Sequence, residues 1–398
     1  MSQNFSRRLA VSAISLAIAG AAFAQAKPPI KLAHSAPLTG QLGSVGKLQA
    51  IAIDIAVDDV NNSGGINGSK IEIVRYDDQL RPDQGVLRVR EAHQAGALAV
   101  LGPLSSTQWE TAAATINQLK MPSVNMNSNK PGLLARPYGT RLNTPDDVLL
   151  PIALTEFLKL FPNTKRVAVM ADVREAAGKA AAEEWTKLAK AKGLEVVGSL
   201  DFTSGQIDFS PVAIKLKELK PDIVLCSILS GDAVKLARDL QIQAVTATIL
   251  CNALIYPGVF PQIVSKSVGA HAKQWFTAGA ASNDYSTGDP VKYKSFVQRY
   301  IQAVAKDSAL NQFQPPNLAN ASLGYDAVLL VAEAANKQGI DGNTPIEAAR
   351  DKLRDGINAY KTFRGLNQLA FTATGDGVSP SGVLQIDPSA GTWKFVKK

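Results

Sequence analysis

Ala99 to Pro131 reads AVLGPLSSTQWETAAATINQLKMPSVNMNSNKP, and its punctuation decides the fold. An apolar run closes at Gly102-Pro103, a small-hydroxyl turn Ser105-Ser106-Thr107 follows, and Trp109 to Leu119 has helical spacing with Ala112, Ala113 and Ile116 inward. Pro122 stops the helical side, Val124 begins a second short strand, and Asn125-Met126-Asn127-Ser128-Asn129 ends it in polar groups with no ionisable side chain. Two loops thus present hydroxyls, amides and backbone N–H groups side by side. In an open α/β sheet such loops lie at the carboxyl ends of the strands, where ligands bind, and a helix N-terminus adds a partial positive charge suited to an anion. A small carboxylate fits this chemistry. Ser and Asn also cap helices and build turns with no ligand at all, so the rest of the chain decides.

Residues 1–24 have the three parts of a signal peptide: Arg7-Arg8, the apolar stretch Leu9 to Ala22, and Ala22-Phe23-Ala24 as a small-x-small cleavage site. The expected product is exported, periplasmic and free of membrane spans. No Cys follows the cleavage site, which argues against a lipid anchor. Loss of Arg7 and Arg8 takes the formal charge from +8 to +6, a mildly basic surface, and no block of Lys and Arg interleaved with aromatics suggests nucleic acid. About 370 mature residues exceed what one core supports, so two domains are expected.

Ile30 to Ala36 reads as a buried strand, and Pro37 to Gly46 as a loop entering a helix that runs to about Asn61. Its glycines, Gly40, Gly43 and Gly46, are spaced G-x-x-G-x-x-G, which is not the dinucleotide fingerprint. Lys70 to Tyr76 alternates into a second strand closed by Asp77-Asp78, read as surface capping. His34, His93 and His271 are far apart and form no metal spacing. Nothing points to a cofactor.

The run SAPLTGQLGSVGKLQAIAIDIAVDDVNNSGGINGSKIEIVRYDDQLRPDQGV, followed by LGPLSS and LGYDAVLLVAEAAN, resembles the periplasmic branched-chain amino-acid-binding proteins of ABC transporters over nearly the whole mature chain. The resemblance implies an α/β fold of two doubly wound lobes with parallel sheets, joined by a three-strand hinge, the type I periplasmic binding fold. It divides the chain into 25–142 with 278–355 as the first lobe and 143–277 with 356–398 as the second. It maps contacts with a ligand carboxylate onto the Ser105-Ser106 turn, chiefly Ser106, and onto Asn127, Ser128 and Asn129, with Leu42 and Val45 lining the first-lobe wall. Thr140 to Asp146 becomes the first crossover, where Arg141 either pairs with a carboxylate at the hinge or lies at the surface.

Strands and helices then alternate through Pro151 to Phe161, Arg166 to Ala171, Ala176 to Lys192, Glu195 to Phe202, Pro211 to Lys220 and Asp222 to Ser227, which argues a second parallel sheet. Here the sequence departs from the family. Ala176 stands where the family places a ligand-covering Tyr, Leu229 lies where an aromatic is frequent, and Asn252-Ala253-Leu254 stands where an acid holds the ligand ammonium. An unpaired buried ammonium costs several kcal/mol. Either Asp284, Asp232 or Asp172 substitutes, or the ligand lacks an α-ammonium; the apolar replacements favour a carboxylate with an aliphatic or aromatic body. Cys226 and Cys251 both end second-lobe strands and are expected as two buried thiols, with a disulfide as the alternative. Trp275 to Ala281 is expected to return across the hinge, with Asp284 and Tyr285 at the cleft mouth, and the last strands to complete the second lobe.

The resemblance implies a monomeric solute-binding component of an importer, holding a small carboxylate and delivering it to a membrane permease and ATPase, with no reaction. A sensory module reporting to a membrane receptor would use the same fold. An exported enzyme would need Ser106 as nucleophile, yet no G-x-S-x-G elbow surrounds it.

Overall fold

Strands separated by helices of ten or more residues pair in parallel, and the chain does this twice. The computed structural model describes residues 27–40, 42–133, 135–256, 259–280, 286–312, 314–318 and 321–396; residues 1–24, expected to be a signal peptide, and the Asp284 and Tyr285 positions lie outside the described residues. In the first lobe β1 (Ile30–Ala36), β2 (Ile71–Asp77), β3 (Ala99–Leu101), β4 (Ser123–Asn125) and β5 (Gly139–Arg141) form a parallel sheet in the order β2-β1-β3-β4-β5. Its helices are α1 (Gly43–Asn62), α2 (Pro82–Gln94) and α3 (Ser106–Gln118). Alternate residues of β1 serve opposite faces: Leu32 packs with Leu48, Ile53 and Ala56 of α1, while Ala33 packs with Val89 of α2 and Trp109 and Ile116 of α3.

The second lobe follows with α4 (Asp146–Leu160), β6 (Arg166–Asp172), α5 (Ala176–Ala191), β7 (Glu195–Phe202), α6 (Ser210–Leu219), β8 (Ile223–Ser227), α7 (Ser230–Ile242), β9 (Thr248–Cys251), α8 (Phe260–Val268) and β10 (Trp275–Gly279). Val167 and Val169 of β6 with Ile223 and Leu225 of β8 pack against α4 and α5, whereas Ala168, Met170, Val224 and Cys226 pack against α6, α7 and α8. The chain then returns through α9 (Pro290–Lys306), α10 (Ala321–Lys337) and α11 (Ile346–Asn358), whose Phe296, Tyr300, Val328, Val331 and Leu353 join the core under α1. Three short antiparallel strands, β11 (Thr362–Arg364), β12 (Gln368–Phe371) and β13 (Gly377–Val378), form a separate sheet. Finally β14 (Gly382–Asp387) and β15 (Thr392–Phe395) add antiparallel to β10, giving the order β15-β14-β10-β9-β8-β6-β7.

Three details differ from the sequence reading. Trp275–Gly279 does not cross the hinge; it lies inside the second-lobe sheet between β9 and β14. The 362–378 segment, expected in the second lobe, packs with the first, because Phe363, Leu366 and Leu369 share a core with Ile53, Val328 and Val331. The helix expected from Pro151 begins at Asp146, since Asp146 and Asp147 supply first-turn carboxylates and the proline is accommodated inside the helix. The chain therefore passes between the lobes at 142–145, between β10 and α9, and at 379–381.

The lobes repeat one packing device. A Cβ on Gly46 would lie 2.0 Å from the Pro37 carbonyl oxygen, and one on Gly178 would lie 2.3 Å from that of Asp172. The first turn of α1 and the first turn of α5 thus sit directly on the backbone that leaves the preceding strand. Cys226 and Cys251 lie opposite each other in register on β8 and β9, both buried and unbridged.

Candidate functional site

The carboxyl ends of β1, β3 and β4 face those of β6, β8 and β9 across the seam between the lobes. On the first-lobe side, Asp77 fixes the β1–α1 loop by accepting from the Leu38 N–H at 2.9 Å and the Thr39 hydroxyl at 2.6 Å. Asp78 is buried rather than on the surface as the sequence suggested, accepting from the Ser35 hydroxyl at 3.0 Å and the Leu80 N–H at 3.1 Å; it anchors β1 to the turn before α2. These ties place Leu42 and Val45 against Ala36 and Leu104, where Leu229 and Leu254 of the second lobe complete one apolar cluster. Leu42 and Val45, expected to line the first-lobe wall, are brought together with Leu229, which stands where an aromatic is frequent in the family.

The polar loops lie beside this cluster. Ser105 caps α3: its Oγ accepts from the Gln108 N–H at 3.2 Å, while the Gln108 side chain accepts from the Ser105 N–H at 3.2 Å. That hydroxyl has a structural task already. Ser106 and Ser128 are buried with their hydroxyls 2.9 Å apart. Asn125 shapes the second loop by accepting from the N–H groups of Asn127 at 2.9 Å and Ser128 at 2.6 Å. Asn127 accepts from Gln49 on Oδ1 at 2.8 Å, and Asn129 donates Nδ2 to both Asp146 oxygens at 2.9 and 2.8 Å.

Asp146 links the lobes at the hinge. It also accepts from Nδ2 of Asn252 at 2.9 Å, so a first-lobe and a second-lobe carboxamide converge on one fully buried carboxylate. Burial pushes its pKa up to about 7, against the lowering effects of Asn252, Asn129 and Arg141. Arg141 is fully buried and pairs with Asp376 at 2.7 Å, which decides the alternative left open for it.

A second contact crosses the seam near its rim. The Thr107 N–H, in the first turn of α3, donates to Glu175 Oε1 at 3.2 Å, and the Ala176 N–H donates back to the Thr107 hydroxyl at 3.0 Å. Glu175 is buried, and desolvation raises its pKa. Ala176 therefore meets the first lobe through its backbone. Ala253 packs into the second-lobe core with Leu149 and Ala278, because the short turn Ala253–Ile255 aims its neighbour Leu254 at the seam instead.

Of the acids considered for an ammonium, Asp232 accepts from the Gly205 N–H at 2.9 Å and from Lys235 at 3.0 Å. Asp172 uses Oδ1 for the N–H groups of Arg174 at 2.9 Å and Ser204 at 3.1 Å. Four buried side-chain atoms on these strand ends and loops have no hydrogen-bond partner: Asn127 Nδ2, Asn129 Oδ1, Asp172 Oδ2 and Ser227 Oγ. An unsatisfied buried polar atom costs about 1–3 kcal/mol, so their concentration at one seam marks where a polar ligand would be stabilised. Among the described residues no group of three or more His, Cys, Asp and Glu could hold a metal, and no helix is long and apolar enough to cross a membrane.

The sequence reading did not select Glu175, Asp146, Gln49 or His34 as site residues, and it placed Thr107 and Asn252 near the site without their cross-lobe partners. Only Gln49 carried a local signal, as a polar residue on the buried stripe of α1.

A sequence model described as periplasmic binding protein matches residues 29–392. A Leu/Ile/Val-binding protein, BraC3, of Rhizobium johnstonii is 31% identical over 236 residues, which is 58% of this chain and 64% of that protein, so the match spans under two thirds of the relative. Two solved structures share the fold. The branched-chain amino-acid transporter substrate-binding protein LivJ of Streptococcus pneumoniae, in complex with isoleucine, has a TM-score of 0.78 at 21% identity, covering 92% of this chain and 98% of that one. A solute-binding protein of an ABC transporter from R. palustris, in complex with benzoate, has a TM-score of 0.77 at 18% identity, covering 92% and 95%.

Proposed function

The chain belongs to the periplasmic binding protein family, and on that premise we propose that it is the periplasmic solute-binding component of an importer of the branched-chain amino-acid type. It captures a small carboxylate-bearing ligand between its lobes and presents the closed form to a membrane permease and its ATPase. The ligand stabilises closure through contacts with both lobes, and no reaction is needed. The observation that carries this reading is the seam itself: an apolar cluster built from both lobes beside four buried polar atoms without partners.

Second-lobe chemistry favours an acid without an α-ammonium. Asn252 occupies the place of the expected acid and turns its carboxamide to Asp146, while Asp232 is engaged by Gly205 and Lys235. A carboxylate on an aliphatic or aromatic body would need only donors at the polar loops and the Leu42, Val45, Leu104 and Leu229 wall. Relatives of this fold in complex with isoleucine and with benzoate bracket the two possibilities.

Thermal-shift measurements on ligand-stripped mature protein test the reading, with each amino acid paired with its des-amino acid and hits followed by calorimetry. Binding to the folded state raises Tm by mass action. Stabilisation by des-amino acids alone is the expected result. Stabilisation by leucine or isoleucine alone would mean that a carboxylate such as Asp172 holds the ammonium. No stabilisation by any small acid would refute the carboxylate reading.

A further inference from the structure

The loop after β4 is held from behind by a hydrogen-bond chain that begins inside the core. His34 on β1 is fully buried, and its Nε2 lies 3.3 Å from Oε1 of Gln49. Gln49, itself buried on α1, donates Nε2 to Asn127 Oδ1 at 2.8 Å. Asn127 Nδ2, also buried, has no partner.

Each link has a direction. Gln49 has given its NH2 to Asn127, so its oxygen faces His34, whose Nε2 must carry the ring proton. Burial keeps the imidazole neutral, with its pKa pushed down to about 4, and leaves Nδ1 as a bare acceptor without a partner. Turning the Asn127 amide around would set its NH2 against that of Gln49, donor to donor. The main chain of Asn127 is fixed as well, its N–H donating to Asn125 Oδ1 at 2.9 Å and its carbonyl accepting from Asn143 at 3.1 Å. Neither backbone nor side chain is free to reorient.

We propose that His34 and Gln49 are positioning residues that lock the Asn127 carboxamide with its NH2 toward the ligand, making the cleft read a carboxylate in preference to the corresponding carboxamide. This rests on the assignment of the seam as the ligand site. A charged acceptor on a fixed, buried donor gives a stronger hydrogen bond than a neutral one, and a locked amide cannot rotate to offer its oxygen to a ligand N–H.

The test is calorimetry with benzoate and with the des-amino acids of leucine and isoleucine, each against its primary amide. Gln49→Glu introduces an acceptor behind Asn127, so the amide should turn over and present oxygen to the ligand. The acid Kd is expected to rise about 100-fold, with the amide Kd unchanged or lower. His34→Leu leaves Gln49 unanchored and should weaken acid binding about tenfold, and His34→Gln, which restores an N–H donor, should recover most of it. Equal weakening of acid and amide in Gln49→Glu would show a merely structural role and overturn the relay. If Asn127→Ala leaves acid affinity unchanged, or if none of the acids binds wild type, the site assignment itself fails and the proposal falls with it.

Discussion

Replacing Asp146 with Asn should remove most of a pH dependence in stability that the hinge imposes. Unfolded, this carboxyl titrates at 3.8; folded, burial holds it at about 7. Over that interval the native state keeps a proton that the unfolded chain has lost. The contribution is therefore complete below pH 3.8, declines as pH rises, and is gone above about 7. An interval of about 3 pH units at roughly 1.36 kcal/mol each amounts to about 4 kcal/mol. The assay is urea unfolding of wild type and Asp146→Asn from pH 4 to 8, taking the difference in unfolding free energy at each pH. Asp326 also titrates near 7 for the same reason, and His34, held at about 4, acts oppositely by losing stability as pH falls. Both are present in the two proteins and cancel in the difference, which should fall by about 4 kcal/mol across the range. A difference that is flat, or that grows with pH, would refute the reasoning: Arg141 and the two carboxamides would then outweigh desolvation, and Asp146 would be an ordinary ionised hinge acid.

Other outcomes follow from the same contacts. Ser106→Ala removes one member of the Ser106–Ser128 hydroxyl pair and should weaken carboxylate binding about tenfold by calorimetry, with a stability loss of about 1 kcal/mol; unchanged affinity would remove Ser106 from the site. Glu175→Ala deletes the acceptor that Thr107 meets across the seam, so the closed ligand-free form should lose about 1 kcal/mol relative to the open one, read as a larger radius of gyration in solution scattering. Gly178→Ala would bring a Cβ to 2.3 Å from the Asp172 carbonyl oxygen and should cost about 3 kcal/mol in urea unfolding. Cys226 and Cys251 should be inert to a thiol reagent in the native protein and react together on unfolding without reductant; no released thiol would indicate a disulfide.

The alternation of strands and helices was legible because period-2 and period-3.6 patterns are local, and Val167, Val169, Ile223 and Leu225 declared their face without knowledge of their neighbours. So were the polar loops after β3 and β4, whose Ser and Asn clusters sit at the ends of apolar runs. Assignment of residues 362–378 failed for a different reason: Phe363, Leu366 and Leu369 state that they are buried but not in which lobe. The cross-seam pairing of Thr107 with Glu175 was invisible because it depends on how two separately folded lobes approach, and the acids weighed for the second lobe, Asp172, Asp232 and Asp284, did not include Glu175 just before α5. Ser105 caps α3, and the sequence could not separate that task from a ligand contact, since both ask for the same residue type.

The pairing of buried Arg141 with partly exposed Asp376 has a mechanical consequence. Arg141 ends β5 just before one passage between the lobes, and Asp376 precedes β13 just before another; the Arg141 N–H also donates to the Gly375 carbonyl at 3.0 Å. Two of the three straps are thus bolted together at their roots and leave the first lobe as a single ribbon. Such a ribbon bends easily out of its plane and resists bending within it. Bending out of that plane swings one lobe against the other about one axis, like a door with both hinges screwed to the same post. A partner that recognises the shut door by its outline needs to distinguish only one coordinate.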